Sequence, residues 1–172
     1  MAGKSELFQN LRSGAVIRSS GANENTVRAW LRNNHLRLSE DRNVPGVQPR
    51  YNLADAARLK LMHMLTTRFT LAAMVAAEVT NEAANHIDVL SSAELTRLDG
   101  LSTSSPQWIM VLGSGDGTLR PEIMTAEVVR ERGFVAIEMF VDLRAIVRLS
   151  RDALLNQLPD PKPSLFDLPH DF

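Results

Sequence analysis

The 172-residue sequence contains no cysteine. This absence excludes a disulfide framework, a thiolate zinc finger and a thiol nucleophile. The sequence also lacks any run of about 18 apolar residues, the length that a membrane-spanning helix needs. The N-terminal segment has no apolar core of the kind found in signal peptides. With 44% hydrophobic and 23% charged residues, the sequence predicts a soluble, cytoplasmic globular protein without membrane association.

The formal net charge of −1 hides an uneven distribution of charge along the chain. Residues 1–80 carry 11 Lys/Arg against 6 Asp/Glu, whereas residues 81–172 carry 8 against 14. Nine of the eleven basic residues in the first part are arginines, whose planar guanidinium matches phosphates and guanine edges. This asymmetry favours a basic nucleic-acid-binding head followed by an acidic partner domain. Chance variation in charge along a neutral protein is the alternative explanation, and charge alone does not decide between the two.

A pair of short helices joined by a tight turn is predicted near the N-terminus. Residues 14–20 form the first helix, and Gly21 supplies the positive φ that the turn favours. Asn23 is a suitable N-cap for a second, amphipathic helix over residues 24–33. Its apolar residues follow i, i+3, i+4 spacing, whereas its other face carries Asn25, Arg28 and Arg32.

The segment over residues 34–50 contains Pro45-Gly46 and Pro49, which exclude a continuous helix and favour a two-stranded ribbon. Asn52, with Asp55 three residues later, predicts a capping box at the start of a long helix. Thr70 is predicted to cap a further helix. Residues 81–98 are then expected to form a fourth.

The pattern changes after a linker at residues 100–106. An apolar run at residues 108–112 predicts a buried strand. Pro121 is expected to begin a helix that Gly133 ends. Residues 134–141 form a second predicted strand, and Asp142 caps a last helix. The fold class expected is therefore α+β, with a mainly helical first part followed by a small strand–helix–strand–helix unit.

The order helix, glycine turn, helix, ribbon, helix predicts a winged helix-turn-helix, and three segments resemble the MerR-type family of such DNA-binding domains. The segments are Gly21–Trp30, Arg50–Leu61 and Phe69–Met74, in register over about residues 13–80. The resemblance implies a DNA-binding domain at 1–80 and does not extend past the fourth helix. Composition and residue pattern predict the remaining regions: a connecting helix at 81–99, a small α/β unit at 100–158 that would serve in dimerisation or sensing, and a flexible tail at 159–172.

The resemblance also implies contacts with double-stranded DNA. A recognition helix places its N-terminal side chains on major-groove base edges while flanking residues hold phosphates. The predicted DNA-binding residues are Asn25, Thr26, Arg28, Arg32, Arg42, Arg50 and Tyr51. Asn25 suits adenine, and Arg28 suits either guanine or a phosphate. An isolated arginine is more often a solvated surface charge, but a shared face favours function for Arg28, Arg32 and Arg50.

No catalytic or cofactor-binding site is predicted. Without cysteine, the thiolate metal chemistry known in the MerR-type family cannot operate, and the four histidines have no ligand spacing. The segment Gly113–Gly117 could cradle a phosphate but lacks the remaining residues of a P-loop, so a turn is favoured. Glu122, Glu127 and Glu131 are interspersed with arginines, a pattern typical of a solvated helix face with local ion pairs and not of catalytic carboxylates. We expect no metal, no cofactor and no enzyme.

Two functions fit these features. The first is a sequence-specific bacterial transcriptional regulator of the nucleoid, dimeric through its C-terminal half and reading a pseudo-palindromic site. The second is an adaptor, such as a recombination accessory factor or a phage packaging subunit, that marks a DNA site and recruits a protein through its acidic domain. The tail segment Ser164–Leu168 is either a motif for a protein partner or packs back on the strands.

Overall fold

The computed structural model describes residues 4–33, 35–39, 49–105, 107–113, 120–132 and 138–157. The fold is α+β: a mainly helical assembly carries a small antiparallel sheet. A 3-10 helix at Lys4–Phe8 precedes the regular elements. These are α1 (Ser13–Ser20), α2 (Glu24–Arg32), α3 (Leu53–Thr67), α4 (Ala73–Glu82), α5 (Ala84–Leu98), β1 (Trp108–Gly113), β2 (Arg120–Thr125), α6 (Ala126–Arg132), β3 (Glu138–Asp142) and α7 (Leu143–Leu155).

The connection between α1 and α2 is a three-residue turn with the predicted chemistry. Gly21 has a φ of 82°, a conformation that costs glycine no steric strain. The Asn23 side chain accepts a hydrogen bond from the Asn25 N–H at 2.9 Å and so caps α2. Both predictions are confirmed, because they depend on contacts only two or three residues apart.

Helix α3 runs through the middle of the protein, with ten of its fifteen residues buried. Its N-terminus has the predicted capping box, in which Asn52 and Asp55 exchange hydrogen bonds between side chain and backbone. Just before it, Tyr51 and Leu11 form an isolated antiparallel bridge through hydrogen bonds of 2.7 and 3.1 Å. The segment that precedes α1 is therefore tied to the segment that enters α3.

The prediction that Thr70 caps a helix is wrong. Helix α4 begins at Ala73, and its N-cap, Ala72, makes no capping hydrogen bond with its side chain. Thr70 has a φ of 54°, and its hydroxyl donates to the carbonyl of Phe69 at 2.8 Å. The hydroxyl is therefore used within a tight turn. The helix predicted from residue 81 instead begins at Ala84, since α4 continues to Glu82.

The sheet has the order β2-β1-β3, and both pairings are antiparallel. The prediction of a helix beginning at Pro121 is wrong, because Arg120–Thr125 is strand β2 and only Ala126–Arg132 is helical. Strand β2 lies at the edge of the described sheet, where proline is tolerated because one side of the strand donates no ladder hydrogen bonds. The described order is consequently strand–strand–helix–strand–helix. The residues 114–119 and 133–137, with the predicted glycine loop, lie outside the described residues.

Helix α7 begins as predicted, since the Asp142 carboxylate accepts hydrogen bonds from the N–H groups of Arg144 and Ala145 at 2.9 and 3.2 Å. The buried face of α7 packs against α1, α3 and α5. One continuous hydrophobic core therefore joins Phe8, near the N-terminus, to Leu154 in α7. In the described ranges no helix combines the length and the apolar character needed to cross a membrane. The proposed division into a head and a separate α/β domain stays a prediction.

Candidate nucleic-acid interface

Helix α2 has one buried and one exposed face. Val27 is fully buried and Trp30 is 5% exposed, so these two residues anchor the helix in the core. The opposite face presents four of the predicted DNA-binding residues to solvent: Asn25, Thr26, Arg28 and Arg32. The amphipathic spacing in the sequence therefore predicted the orientation of this helix correctly.

Arg28 already has an anionic neighbour on this face. Its guanidinium Nη2 donates to the Glu24 carboxylate at 2.5 Å, one helical turn away, and both side chains are more than half exposed. An exposed i,i+4 pair of this kind adds only a few tenths of a kcal/mol to stability, about 0.3–0.5 kcal/mol at most. Glu24 thus holds the Arg28 side chain weakly and offsets its charge.

Arg50 and Tyr51 lie side by side in the chain but differ in environment. Arg50 is exposed, and its Nη1 donates to the carbonyl of Asn10 at 3.4 Å. Tyr51 is only 8% exposed and belongs to the core, where its backbone pairs with Leu11. Tyr51 therefore holds the chain that presents Arg50. Arg42, the remaining predicted contact, lies outside the described residues.

Three arginines line an open cleft of about 600 Å³ at the start of α1. They are Arg12, Arg18 and Arg50, and none of the described residues that line the cleft is acidic. The N-terminus of α1 has no side-chain cap, so its first N–H groups and the helix dipole favour an anion there. The Arg18 guanidinium lies close to Gly14: a Cβ atom added at Gly14 would be 3.3 Å from the Arg18 Nη1.

Sequence reasoning missed Arg12 and Arg18. The only signal for them was the excess of arginine in residues 1–80, since their meeting with Arg50 depends on the long-range bridge between Leu11 and Tyr51. The arginines at this cleft form a second basic surface, which adjoins α2 in the chain and suits phosphates because the guanidinium fork binds two oxygens at once.

Asp55 binds two residues of the segment between α2 and α3, Ser39 and Asn52. One carboxylate oxygen accepts from the Ser39 N–H at 2.8 Å, and the other accepts from the Ser39 hydroxyl at 2.6 Å and the Asn52 N–H at 3.1 Å. Asp55 is fully buried. A single carboxylate therefore holds residues on both sides of the 40–48 segment; that segment, with the predicted ribbon tip, lies outside the described residues.

A buried arginine balances the charge of Asp55. Arg58 is 6% exposed and lies 3.7 Å from the Asp55 carboxylate. Its Nη2 also donates to both carboxylate oxygens of Asp88 at 2.6 Å. Burying a cation between two carboxylates costs desolvation free energy, which only good contact geometry offsets. Because Arg58 belongs to α3 and Asp88 to α5, their ion pair fixes the position of one helix relative to the other.

A separate cluster of basic side chains lies next to the turn between α1 and α2. His63, Lys60 and Arg68 line a cavity of about 250 Å³ together with Gly21. Burial lowers the pKa of His63, and the charges of Lys60 and Arg68 lower it further. Burial, followed by the charge of Arg68, also lowers the pKa of Lys60. The Lys60 Nζ donates to the carbonyl of Ser19 at 3.3 Å, which links α3 to the end of α1.

Groups of three metal-ligating side chains do not occur among the described residues. No protein-family model, curated protein or solved structure matches the chain.

Proposed function

We propose that the protein is a sequence-specific regulator that binds double-stranded DNA through a winged helix-turn-helix of the MerR-like type. Helices α1 and α2 with their glycine turn are the helix-turn-helix, and the segment anchored at Ser39 and Asn52 is the wing. The observation that carries the proposal is the exposed face of α2, which displays Asn25, Arg28 and Arg32 while Val27 and Trp30 fix its other side.

The dimensions of α2 suit a major groove. An α-helix with its side chains is about 10–12 Å in diameter, and the groove is about 12 Å wide; the nine residues of α2 make about two and a half turns. Asn25 and Arg28 lie one turn apart on the exposed face, so their side chains can reach neighbouring base pairs. An asparagine amide matches the paired donor and acceptor of adenine, and a guanidinium matches the two acceptors of guanine.

Phosphate contacts would come from the arginine cleft and the wing. Arg12, Arg18 and Arg50 surround the uncapped N-terminus of α1, an arrangement that favours a backbone phosphate over any base. Such contacts set the position of a protein on the duplex but carry no sequence information. The head therefore has separate groups for reading and for holding DNA.

A dimer follows from the small number of base contacts in one head. Two heads that read two half-sites raise both affinity and specificity. They require a pseudo-palindromic site whose half-site centres are about one helical turn, or about 34 Å, apart. We propose that the C-terminal half supplies the dimer contact, and that the protein acts on the bacterial nucleoid.

The test begins with DNA fragments that the purified protein enriches from sheared genomic DNA. On an enriched fragment, Arg28→Ala should weaken binding by about 1–3 kcal/mol and relax the preference at one base pair. Arg50→Ala should weaken binding to all sequences alike and reduce the slope of log affinity against log salt by about one. Fluorescence anisotropy over a range of salt concentrations measures both effects.

The control for both variants is Arg130→Ala, which removes an exposed arginine on α6. It should leave affinity and salt slope as they are in the wild type. If all three variants bind alike, or if no fragment is enriched over input DNA, the proposed function is wrong.

Replacing Glu24 with glutamine should strengthen DNA binding about threefold to tenfold at low salt. The substitution removes a negative charge 2.5 Å from Arg28 on the surface proposed to meet DNA, where Coulomb repulsion is weakly screened. The gain should shrink as salt increases and should persist in an Arg28→Ala background, because the repulsion between Glu24 and DNA phosphates does not require Arg28. Weaker binding by Glu24→Gln would instead mean that the carboxylate itself contacts a base or holds Arg28 in its binding position.

A further inference from the structure

A small basic cavity lies between α5, α7 and the irregular segment that follows α5. Its volume is about 150 Å³, which is the space of about five water molecules. Its polar lining comprises three guanidinium groups and three hydroxyl groups, from Arg97, Arg144, Arg148, Thr103, Ser104 and Ser105. One acid, Glu94, also contributes to the wall.

The charge of Glu94 is already compensated. This residue is 6% exposed, and its Oε1 accepts hydrogen bonds from Arg97 at 2.9 Å and from Arg151 at closer range. Arg151 in turn pairs with Asp152 at 2.5 Å. The buried carboxylate therefore uses Arg97 and Arg151 as hydrogen-bond partners, and two further arginines of the wall make no hydrogen bond to a carboxylate of the described residues.

These two arginines are Arg144 and Arg148, one turn apart on α7. The Arg144 Nη2 donates only to neutral oxygens, the carbonyl and the hydroxyl of Ser105. The Arg148 Nε is shielded from solvent and finds no hydrogen-bond acceptor among the described residues. Its nearest carboxylate oxygen is Glu94 Oε2, at 3.9 Å. A shielded guanidinium donor without an acceptor is unusual in a folded protein and costs free energy.

The acids on the far side of the two arginines are also engaged. Asp142 caps α7 and accepts a hydrogen bond from the Gln107 amide at 2.8 Å. Asp152 pairs with Arg151. Both acids line the neighbouring cavity that shares Arg144 and Arg148 as walls. Within the described part of the chain, the closest carboxylate contact of the two guanidinium groups is therefore the 3.9 Å ion pair between Arg148 and Glu94.

We propose that this cavity binds the phosphate group of a small-molecule ligand. Arg144 and Arg148 offer guanidinium donors from one side, a geometry that phosphate oxygens accept strongly. The hydroxyls of the Thr103–Ser105 segment supply further donors from the other side. The volume accommodates a single phosphate group, and the concave wall between two helices suits a free ligand better than the backbone of a duplex. The site is separate from the surface of α2.

The test is a titration of the full chain with inorganic phosphate, with chloride adjusted to keep ionic strength constant. Calorimetry should show saturable binding, and the unfolding temperature should increase with phosphate concentration. Arg148→Gln should weaken phosphate binding about tenfold or more, since it removes a charged donor. Arg130→Gln, at an exposed arginine remote from the cavity lining, should bind phosphate like the wild type.

A second variant guards against a folding defect. Ser104 is exposed, so Ser104→Asp should fold normally while placing a competing carboxylate in the cavity, and phosphate binding should be lost. The proposal is overturned if phosphate does not bind saturably, or if Arg148→Gln and Ser104→Asp bind it like the wild type. It is also overturned if Arg148→Gln weakens DNA binding and DNA blocks phosphate, because the phosphate would then belong to the duplex.

Discussion

Asp55→Ala is expected to destabilise the protein by about 3–5 kcal/mol, the range observed when one member of a buried ion pair is removed. The carboxylate is fully buried and accepts hydrogen bonds from Ser39 and Asn52. Its removal opens the capping box of α3, releases Ser39 and leaves Arg58, within the described part of the chain, with Asp88 as its carboxylate partner. Urea denaturation monitored by circular dichroism measures the change.

Glu78→Ala is the matched control, because it removes an exposed carboxylate from α4, and it should change stability by no more than about 0.5 kcal/mol. Ser39→Ala separates the two roles of Asp55, since it removes one hydroxyl donor and leaves the capping box intact. We expect it to cost about 1 kcal/mol. Equal unfolding midpoints for Asp55→Ala and Glu78→Ala would contradict the network.

Leu154→Ala is expected to cost about 2–5 kcal/mol, the range for truncating a buried leucine. Leu154 is 2% exposed and belongs to the same core as residues of α1 and α3, whereas its neighbour Leu155 is 40% exposed. Leu155→Ala removes the same atoms from a neighbouring position of the helix and should cost well under 1 kcal/mol. The contrast in urea midpoints between two adjacent leucines measures how firmly α7 belongs to the core.

The same pair of variants tests how the chain is divided. If α7 folds with α1 and α3, Leu154→Ala lowers a single cooperative transition observed by both helical and tryptophan signals. Two separate transitions, or equal effects of the two substitutions, would show that α7 stabilises a unit independent of the N-terminal helices.

The parts of the fold that sequence predicted depend on local interactions. The caps at Asn23, Asn52 and Asp142 involve partners two or three residues away, so residue type and position were sufficient to predict them. The buried face of α2 followed from its 3.6-residue periodicity. The partners of each cap are therefore set by nearby residues in the sequence.

The two errors have a common physical origin. Pro121 has a strong preference for the first turn of a helix, yet pairing with β1 places it in an edge strand. Thr70 is a good N-cap by type, yet it has a positive φ before α4 and its hydroxyl bonds within the turn. In each case another hydrogen-bonded structure, a strand pair at Pro121 and a tight turn at Thr70, outweighed a local preference of about 1 kcal/mol.

Part of the candidate interface was predictable from local sequence pattern, and part of it depends on contacts between distant residues. The exposure of Asn25, Arg28 and Arg32 followed from the helix pattern. The arginine cleft did not, because Arg12 and Arg50 are 38 positions apart and meet only through the bridge between Leu11 and Tyr51. The anchoring of Ser39 by Asp55 likewise joins residues 16 positions apart, a separation at which sequence pattern carries no information on contact.

The most direct test of DNA reading by α2 is protection of guanine N7 from methylation by dimethyl sulfate on an enriched fragment. Guanine N7 lies in the major groove, so a recognition helix placed there blocks the reagent. We predict protected guanines in two half-sites about one helical turn apart, with protection lost in Arg28→Ala and kept in Arg130→Ala. Uniform methylation in the presence of saturating protein, or protection that persists in Arg28→Ala, would contradict the assignment of α2 as the reading helix.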